Sequence, residues 1–245
     1  MTDKKVAVIT GATSGIGTAV AERMAKEGYY TVLLGRNIEK GNYICNSIKA
    51  KGYQATFIQC DVTSEQSVSE ASKTIINTCG RVDVLFNNAG IMLQSKELER
   101  LPVEEWKKTF ETNLDSVFYM LKYLKETIIA CKGSIINNAS IAGMHSYVTG
   151  RSYAYSASKS ALIQFTRQMA LNYAEEGVRV NCICPGIIDT PILGDRDRSE
   201  YAKRVPLGYI GKPEDVANVV AFLASDQTSY LTGVVLPVDG GVSLS

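Results

Sequence analysis

Short apolar runs alternate along the chain with longer amphipathic stretches. The apolar runs have the length and character of buried strands, and they are Val6 to Thr10, Thr31 to Leu34, Ala55 to Cys60, Val84 to Asn87, Ser134 to Asn138, Val178 to Cys184 and Val234 to Val238. A helical segment lies between most of them. Because strands that alternate with helices form right-handed crossovers, the pattern predicts a doubly wound α/β fold. Its seven-stranded, mainly parallel sheet carries helices on both faces.

The same rhythm predicts one domain over residues 1–245, since no proline-, serine- or charge-rich linker divides the chain. It breaks only between Ile187 and Gly211, where Pro191, Pro206 and the charged run from Asp195 to Arg198 interrupt the pattern. We predict that residues 187–211 form a lid over the substrate. The alternative is a solvated connector without a function.

Composition narrows the class of protein. The chain of 245 residues is 45% hydrophobic, and 26 Lys and Arg balance 25 Asp and Glu, so neither net charge nor a basic run points to nucleic acid. The amino terminus reaches the apolar run from Val6 to Ile9 after only five residues, and that run is too short for a signal peptide or a membrane span. We therefore expect a cytoplasmic protein with neither nucleic-acid nor membrane partners.

Six cysteines lack Cys-x-x-Cys spacing and lie in apolar or helical contexts, which favours buried thiols over disulfides. Cys182 and Cys184 point to the same face of a predicted strand, a spacing that also suits a metal pair. His145 is the only histidine that could complete such a site. We therefore predict no metal.

A glycine-rich turn connects the first strand to the first helix. It reads Thr10-Gly11-Ala12-Thr13-Ser14-Gly15-Ile16-Gly17, and the helix continues to about Glu27. Small residues at such a turn let backbone N–H groups and the helix N-terminus approach a pyrophosphate. Because the turn follows strand one, it predicts a nucleotide site rather than a purely structural turn.

The glycine turn resembles that of the short-chain dehydrogenase/reductase family, in which three residues follow the first glycine, as in Gly11 to Gly15. Three further motifs follow in the family's order: Asp61-Val62, Asn87 to Gly90, and Pro185-Gly186 with Thr190. The resemblance implies a Rossmann-type domain, a nicotinamide cofactor and hydride transfer at an alcohol or ketone. It also implies a set of cofactor-binding residues: Gly11, Thr13, Ser14, Gly15, Ile16, Gly17, Arg36, Asn37, Asp61, Val62, Asn88, Ala89, Gly90, Tyr155, Lys159, Pro185, Gly186, Ile188 and Thr190.

The end of the second strand predicts which nicotinamide cofactor is used. The family's acidic position falls on Gly35, and Arg36 and Asn37 follow it, with no carboxylate before Glu39. An arginine can bind the 2′-phosphate of NADP(H) through a forked contact, and the missing carboxylate removes a repulsion. We predict a preference for NADP(H). The alternative is that Arg36 stacks on adenine and both cofactors are used.

Tyr155 and Lys159 lie one turn apart in a segment with helical spacing, so both project from one side. Hydride exchange at carbon requires an acid or base at the oxygen, and a free phenol, with a pKa of about 10, is poorly suited. We expect the lysine cation, aided by the oxidised nicotinamide, to bring the pKa of Tyr155 toward working pH. The resemblance adds Ser140, which binds the substrate oxygen, and Asn113, which holds a relay water. It also gives Lys159 a hydrogen bond to the nicotinamide ribose.

The spacing before the tyrosine departs from the family's pattern. Ser140 and Tyr155 are fifteen residues apart, whereas many members have thirteen, a count that Tyr153 satisfies. Six residues from Tyr153 would place Lys159 about 120° farther around an ideal helix, so Tyr155 is favoured. We infer a two-residue insertion within 144–152, in which His145 and Tyr147 are candidates for substrate contact.

The function predicted is therefore an oxidoreductase for a secondary alcohol or ketone. Hydroxysteroids or other hydrophobic alcohols, 3-oxoacyl thioesters, and polyols or sugars remain open as substrates. Apolar side chains weakly favour the first class, and they are Tyr147, Tyr153, Ile188, Ile192 and Leu193. A catalytically silent nucleotide-binding protein is the rival hypothesis. The carboxyl-terminal run from Leu231 to Gly241 resembles a family segment at subunit contacts, which implies a homotetramer, whereas a simple edge strand is the alternative.

Overall fold

The structure is a computed structural model that describes residues 2–93, 97–145, 152–194 and 197–244. Its strands are β1 Val6–Thr10, β2 Tyr30–Gly35, β3 Ala55–Gln59, β4 Val84–Asn87, β5 Ser134–Asn138, β6 Arg179–Pro185 and β7 Val235–Val238. Its α-helices are α1 Gly15–Lys26, α2 Ile38–Ala50, α3 Glu65–Cys79, α4 Val103–Phe110, α5 Ser116–Ala130, α6 Tyr153–Asn172, α7 Arg198–Ala202 and α8 Pro213–Ala224. The predicted strands differ from these by no more than a residue or two at each end.

The strands form one sheet in the order β3-β2-β1-β4-β5-β6-β7, and every described pair is parallel. The predicted doubly wound, Rossmann-type α/β fold is confirmed. The strand order reverses between β1 and β4, so a crevice opens at their carboxyl ends. Open α/β sheets bind ligands at such a reversal.

Two apolar cores lie on opposite faces of the sheet. Alternate β1 residues enter different cores, with Val6 and Val8 in one and Ala7 and Ile9 in the other. The first core packs against α3, α5 and α6, and the second against α1, α2 and α8. Because both faces are covered, the strands read as continuous apolar runs.

The predicted buried thiols are found at five of the six cysteines, while Cys131 is only partly buried and all six are free. The segment 187–211 contains α7 and a 3₁₀ turn at Pro191–Leu193. Its base is closed by backbone hydrogen bonds from Asp189 N to Gly211 O (2.8 Å) and from Gly211 N to Ile187 O (2.9 Å). Among the described helices, none is long and apolar enough to cross a membrane.

Candidate active site

A cavity of about 810 Å³ lies at the carboxyl ends of the strands, where the sheet order reverses. Its volume is near the upper end of the range for ligand pockets. Most predicted site residues line it: Gly11, Thr13, Ser14, Gly15, Ile16, Arg36, Asp61, Val62, Asn88, Ala89, Gly90, Ser140, Tyr155, Lys159, Pro185, Gly186, Ile188 and Thr190. Gly17, Asn37 and Asn113 are not among the described lining residues.

The glycine turn at one end has the form of an anion cradle. Gly11 and Gly15 adopt positive φ angles of 62° and 52°, which L side chains rarely adopt. Ser14 is the N-cap residue of α1 but makes no side-chain capping bond, and no acidic residue lies in the first turn. The first N–H groups of the helix are thus left for an anionic ligand, so this turn fits a pyrophosphate.

Gly17 has a packing role within the turn. A Cβ there would lie 2.3 Å from Gly11 O and 2.7 Å from Asn88 Nδ2. The absence of a side chain lets the Asn88 amide donate to Thr10 O (3.0 Å) and to Gly11 O (3.2 Å). The glycine turn is therefore held from the β4 side of the crevice.

At the end of β2, the residue at the position that the resemblance assigns to a carboxylate has no room for a side chain. A Cβ on Gly35 would lie 2.6 Å from the methyl carbon of Thr13. Arg36 lines the cavity and is exposed. Asn37 is instead the N-cap of α2, where its Oδ1 accepts from Lys40 N at 2.8 Å. Arg36 is therefore the cation that faces the ligand space here.

Asp61 follows β3 at the same end of the cavity. Its Oδ1 accepts from the Thr63 backbone N at 3.1 Å and from the Thr63 hydroxyl at 2.8 Å. These bonds fix the turn that carries Val62 into the lining. Pro185, the last residue of β6, also lines the cavity, as do Gly186 and Thr190 after it.

Ser140, Tyr155 and Lys159 meet at the other end of the cavity. The Lys159 ammonium lies 5.8 Å from the centroid of the Tyr155 ring and donates to Asn138 O at 2.6 Å. Ser140 hydrogen-bonds Tyr155 through its side chain and accepts from Ala142 N at 3.1 Å. Tyr153, by contrast, is 40% exposed and is not among the described lining residues, so the geometry favours Tyr155 as the acid.

The pKa values of the two groups differ from the expectation. Burial raises the pKa of Tyr155, and the hydrogen bond with Ser140 only partly opposes that shift. Burial lowers the pKa of Lys159 to about 8. In the protein without its cofactor, desolvation therefore dominates both groups. The expected lowering of the Tyr155 pKa includes the charge of the oxidised nicotinamide, so it stays a prediction for the complex with the cofactor.

Asn113 lies in a π-helical turn, Glu111–Asp115, between α4 and α5, and it is fully buried. Its Oδ1 accepts from Ile91 N at 2.8 Å, and its Nδ2 donates to Ile91 O and to Ser158 Oγ, both at 3.0 Å. The side chain thus clamps the loop after β4 to α6, and one lone pair of Oδ1 remains for another donor. Such π turns occur often at functional sites.

Sequence reasoning missed several residues that line the cavity: Cys60, Thr63, Ile91, Met92, Leu93, Lys108, Glu111, Thr112, Asn138 and Ala139. Lys108 and Glu111 have the spacing of any exposed helical pair, so no local signal marks them. The predicted insertion lies mostly outside the described residues, and Tyr147 lies there too. Of the charged run, Asp195 and Arg196 likewise lie outside them.

A phosphate-binding glycine turn and a Tyr-Lys pair at opposite ends of one cavity define a nucleotide-dependent oxidoreductase. Comparisons with known proteins agree. A family model described as "Enoyl-(Acyl carrier protein) reductase" matches residues 11–243. The chain is 37% identical over 241 residues to cyclohexanol dehydrogenase of Acinetobacter sp. (strain SE19), covering 97% of this chain and 94% of that protein.

It is also 37% identical over 244 residues to a 3-oxoacyl-[acyl-carrier-protein] reductase of Chlamydia muridarum, covering 98% and 97% of the two chains. Among solved structures, a blue fluorescent protein from a metagenomic library, in complex with NADPH, is similar with a TM-score of 0.91 and 32% identity. The match covers 97% of each chain. The chain belongs to the short-chain dehydrogenase/reductase family. It is an oxidoreductase that uses a nicotinamide cofactor and acts on CH–OH groups, as predicted.

Proposed function

We propose that this protein interconverts a hydrophobic secondary alcohol and its ketone with NADP(H) as the preferred cofactor. The observation that carries the proposal is the single cavity that joins the Tyr155, Ser140 and Lys159 cluster to the glycine turn and Arg36. The bound cofactor supplies the hydride. The chain supplies the proton and the geometry.

Tyr155 is the acid in the direction of ketone reduction. Burial keeps its phenol protonated, so Oη can donate to the developing alkoxide while the Ser140 hydroxyl orients the same oxygen. Lys159 lies close enough to stabilise the phenolate that remains. In alcohol oxidation, the phenolate of Tyr155 accepts the proton of the alcohol. Asn113 positions the loop at Ile91. We also assign to Asn113 the role of binding the water of the proton relay.

Arg36 supports the preference for NADP(H). It is exposed in the lining beside the closed Gly35 position, so a 2′-phosphate meets a cation there. Asp61 also lines the cavity, and its carboxylate already accepts two hydrogen bonds from Thr63. The NADPH in the similar blue fluorescent protein is consistent with this assignment.

Apolar side chains support a hydrophobic substrate. Ile91, Met92, Leu93, Ile188 and Ile192 line the cavity. The relative named cyclohexanol dehydrogenase points to a cyclic alcohol, and a steroid-like alcohol suits the same apolar wall. The relative named 3-oxoacyl-[acyl-carrier-protein] reductase makes 3-oxoacyl thioesters the second candidate.

The segment 187–211 is proposed as the lid. Thr190, Pro191 and Ile192 line the cavity, and the Arg198 guanidinium bridges Asp189 Oδ1 (3.1 Å) and Gly194 O (2.5 Å). Closure on NADPH should slow proteolysis and amide exchange within this segment. Equal rates of proteolysis and amide exchange with and without NADPH would show that this segment is a connector and not a lid.

We also propose a homotetramer. β7 pairs only with β6 at the edge of the described sheet, and its side chains are only partly buried, as expected of a strand that meets another copy. A monomer in light scattering at micromolar concentration would refute this. The cytoplasmic location stays a prediction.

The decisive experiment follows absorbance at 340 nm with NADPH or NADH. It compares cyclic ketones, ketosteroids, 3-oxoacyl thioesters and ketoses, with the Tyr155→Phe variant as control. We expect turnover of cyclic or steroidal ketones that favours NADPH. Tight NADPH binding without turnover of any of these ketones would favour the silent nucleotide-binding protein instead.

A further inference from the structure

Asn138, the last residue of β5, lies between the glycine turn and the Tyr155 cluster. Its side chain has no role in the mechanism above. Its backbone carbonyl accepts the hydrogen bond from Lys159 Nζ at 2.6 Å, and its side-chain Nδ2 donates to Asn88 Oδ1 at 2.9 Å. It is 8% exposed and lines the cavity. One residue thus contacts both the catalytic lysine and the support of the glycine turn.

The orientation of the two amides follows from their partners. Asn88 Nδ2 faces two backbone carbonyls, Thr10 O at 3.0 Å and Gly11 O at 3.2 Å, so its Oδ1 must face Asn138. The group that Asn138 presents to it must then be the donor, Nδ2. Two further bonds, from Asn88 N and Ala89 N to the Thr10 hydroxyl, at 2.8 and 3.0 Å, make this junction rigid.

The amide of Asn138 has a cost that an apolar residue would avoid. Its Oδ1 is buried and has no partner among the described residues, and an unsatisfied buried acceptor is unfavourable. An apolar side chain of similar volume would remove this acceptor, but it would also remove the donor to Asn88. The hydrogen bond from Nδ2 to Asn88 therefore explains the presence of an asparagine here better than the stability of the core does.

We propose that Asn138 is a positioning residue that ties the glycine turn, through Asn88, to the strand end that carries the Lys159 contact. The chain of contacts runs from Gly11 O to Asn88, then to the Asn138 side chain, and through its backbone to Lys159. It keeps the pyrophosphate cradle in register with the proton-transfer end of the cavity. This inference rests on the cofactor site described above.

The test replaces Asn138 with leucine, or with alanine should the leucine variant not fold. NADPH and 2′-phospho-ADP-ribose, which carries the pyrophosphate but lacks the nicotinamide, are titrated into each protein. We expect the Kd of both ligands to rise about 5- to 10-fold, the loss of one positioned hydrogen bond. The kcat at saturating NADPH should fall less than the affinity does, because leucine keeps the backbone carbonyl that Lys159 contacts.

The thermal midpoint separates positioning from a structural role. Removing the unpartnered Oδ1 offsets the loss of the bond to Asn88, which is only partly buried, so we expect a midpoint within about 3 °C of wild type. Asn137→Leu is the matched control. Asn137 accepts from Asn87 Nδ2 at 2.8 Å and donates to Thr166 Oγ1 at 2.9 Å, away from the glycine turn. That variant should lose stability without a selective loss of cofactor affinity.

A double-mutant cycle with Asn88→Ala completes the test. If the two residues act as one unit, the double variant binds NADPH no more weakly than Asn88→Ala alone. Additive losses would overturn the inference, as would an unchanged Kd in Asn138→Leu. A loss for NADPH but not for 2′-phospho-ADP-ribose would place Asn138 against the nicotinamide and also overturn it. If wild-type protein binds neither NADPH nor NADH, the cofactor site itself fails instead.

Discussion

Replacing Lys159 with methionine should make the protein more stable and inactive at once. The Lys159 side chain is 3% exposed, and burial lowers its pKa from 10.5 to about 8. Between these two pH values the folded state binds fewer protons than the unfolded state. The free energy of unfolding therefore rises with pH in this window, and below it the buried charge is a constant penalty.

The penalty can be sized from the pKa shift. At about 1.4 kcal/mol per pKa unit, the buried ammonium costs about 3 kcal/mol at pH 7 and about 1 kcal/mol at pH 9.5. Methionine removes the charge but also the 2.6 Å bond to Asn138 O, whose loss costs about 1–2 kcal/mol at any pH. Lys159→Met should thus gain about 1–2 kcal/mol at pH 7, or roughly 2–8 °C in Tm, and the gain should fall by about 2 kcal/mol by pH 9.5.

The assay is urea unfolding of wild type and variant without cofactor at pH 7, 8, 9 and 9.5. Lys73→Met is the control, because Lys73 is exposed on α3 and its replacement makes the same chemical change outside the core. The same Lys159→Met protein should lose turnover because the phenolate of Tyr155 then lacks its cation. A stability difference between wild type and Lys159→Met that does not change with pH would refute the buried-charge argument.

Other predictions test the remaining parts of the site. Tyr155→Phe should lower turnover by at least ~10², as for lost acid catalysis, while NADPH titration shows unchanged affinity; near-normal turnover would remove Tyr155 from its role. Arg36→Asp should move the ratio of kcat/KM values from NADPH toward NADH, and an unchanged ratio would mean that Arg36 does not contact the 2′-phosphate. Gly143→Ala places a Cβ 2.7 Å from the Lys159 carbonyl carbon and 2.8 Å from Ser160 N. It should lower both kcat and Tm, and normal kinetics would show that the turn after Ser140 yields freely.

Much of the fold was predictable because its signals are local. Continuous apolar runs separated by helical stretches require a parallel sheet covered on both faces, and the seven strands are found within a residue or two of their predicted ends. Tyr155 and Lys159 were predictable for the same reason, since a spacing of four residues is one helical turn. The glycine turn between β1 and α1 is likewise a local pattern.

The properties of the site that depend on distant neighbours needed the tertiary structure. The sequence indicates a lysine beside a tyrosine, but only the packing of α6 against the sheet shows that desolvation lowers the pKa of Lys159 and raises that of Tyr155. The π turn at Asn113 is equally nonlocal, because its amide is fixed by Ile91 from a different element.

The sequence by itself therefore determined the class of protein, its fold and the chemical groups of the site. It could not show that Asn138 joins the Asn88 amide to Lys159, because these residues come from three separate segments that only the parallel sheet brings together. Helix and strand periodicity is set by neighbouring residues in the sequence. Burial, charge state and hydrogen-bond partners depend instead on residues that are distant in sequence and are brought together by the fold. That difference explains why the chemistry was predictable and its electrostatic setting was not.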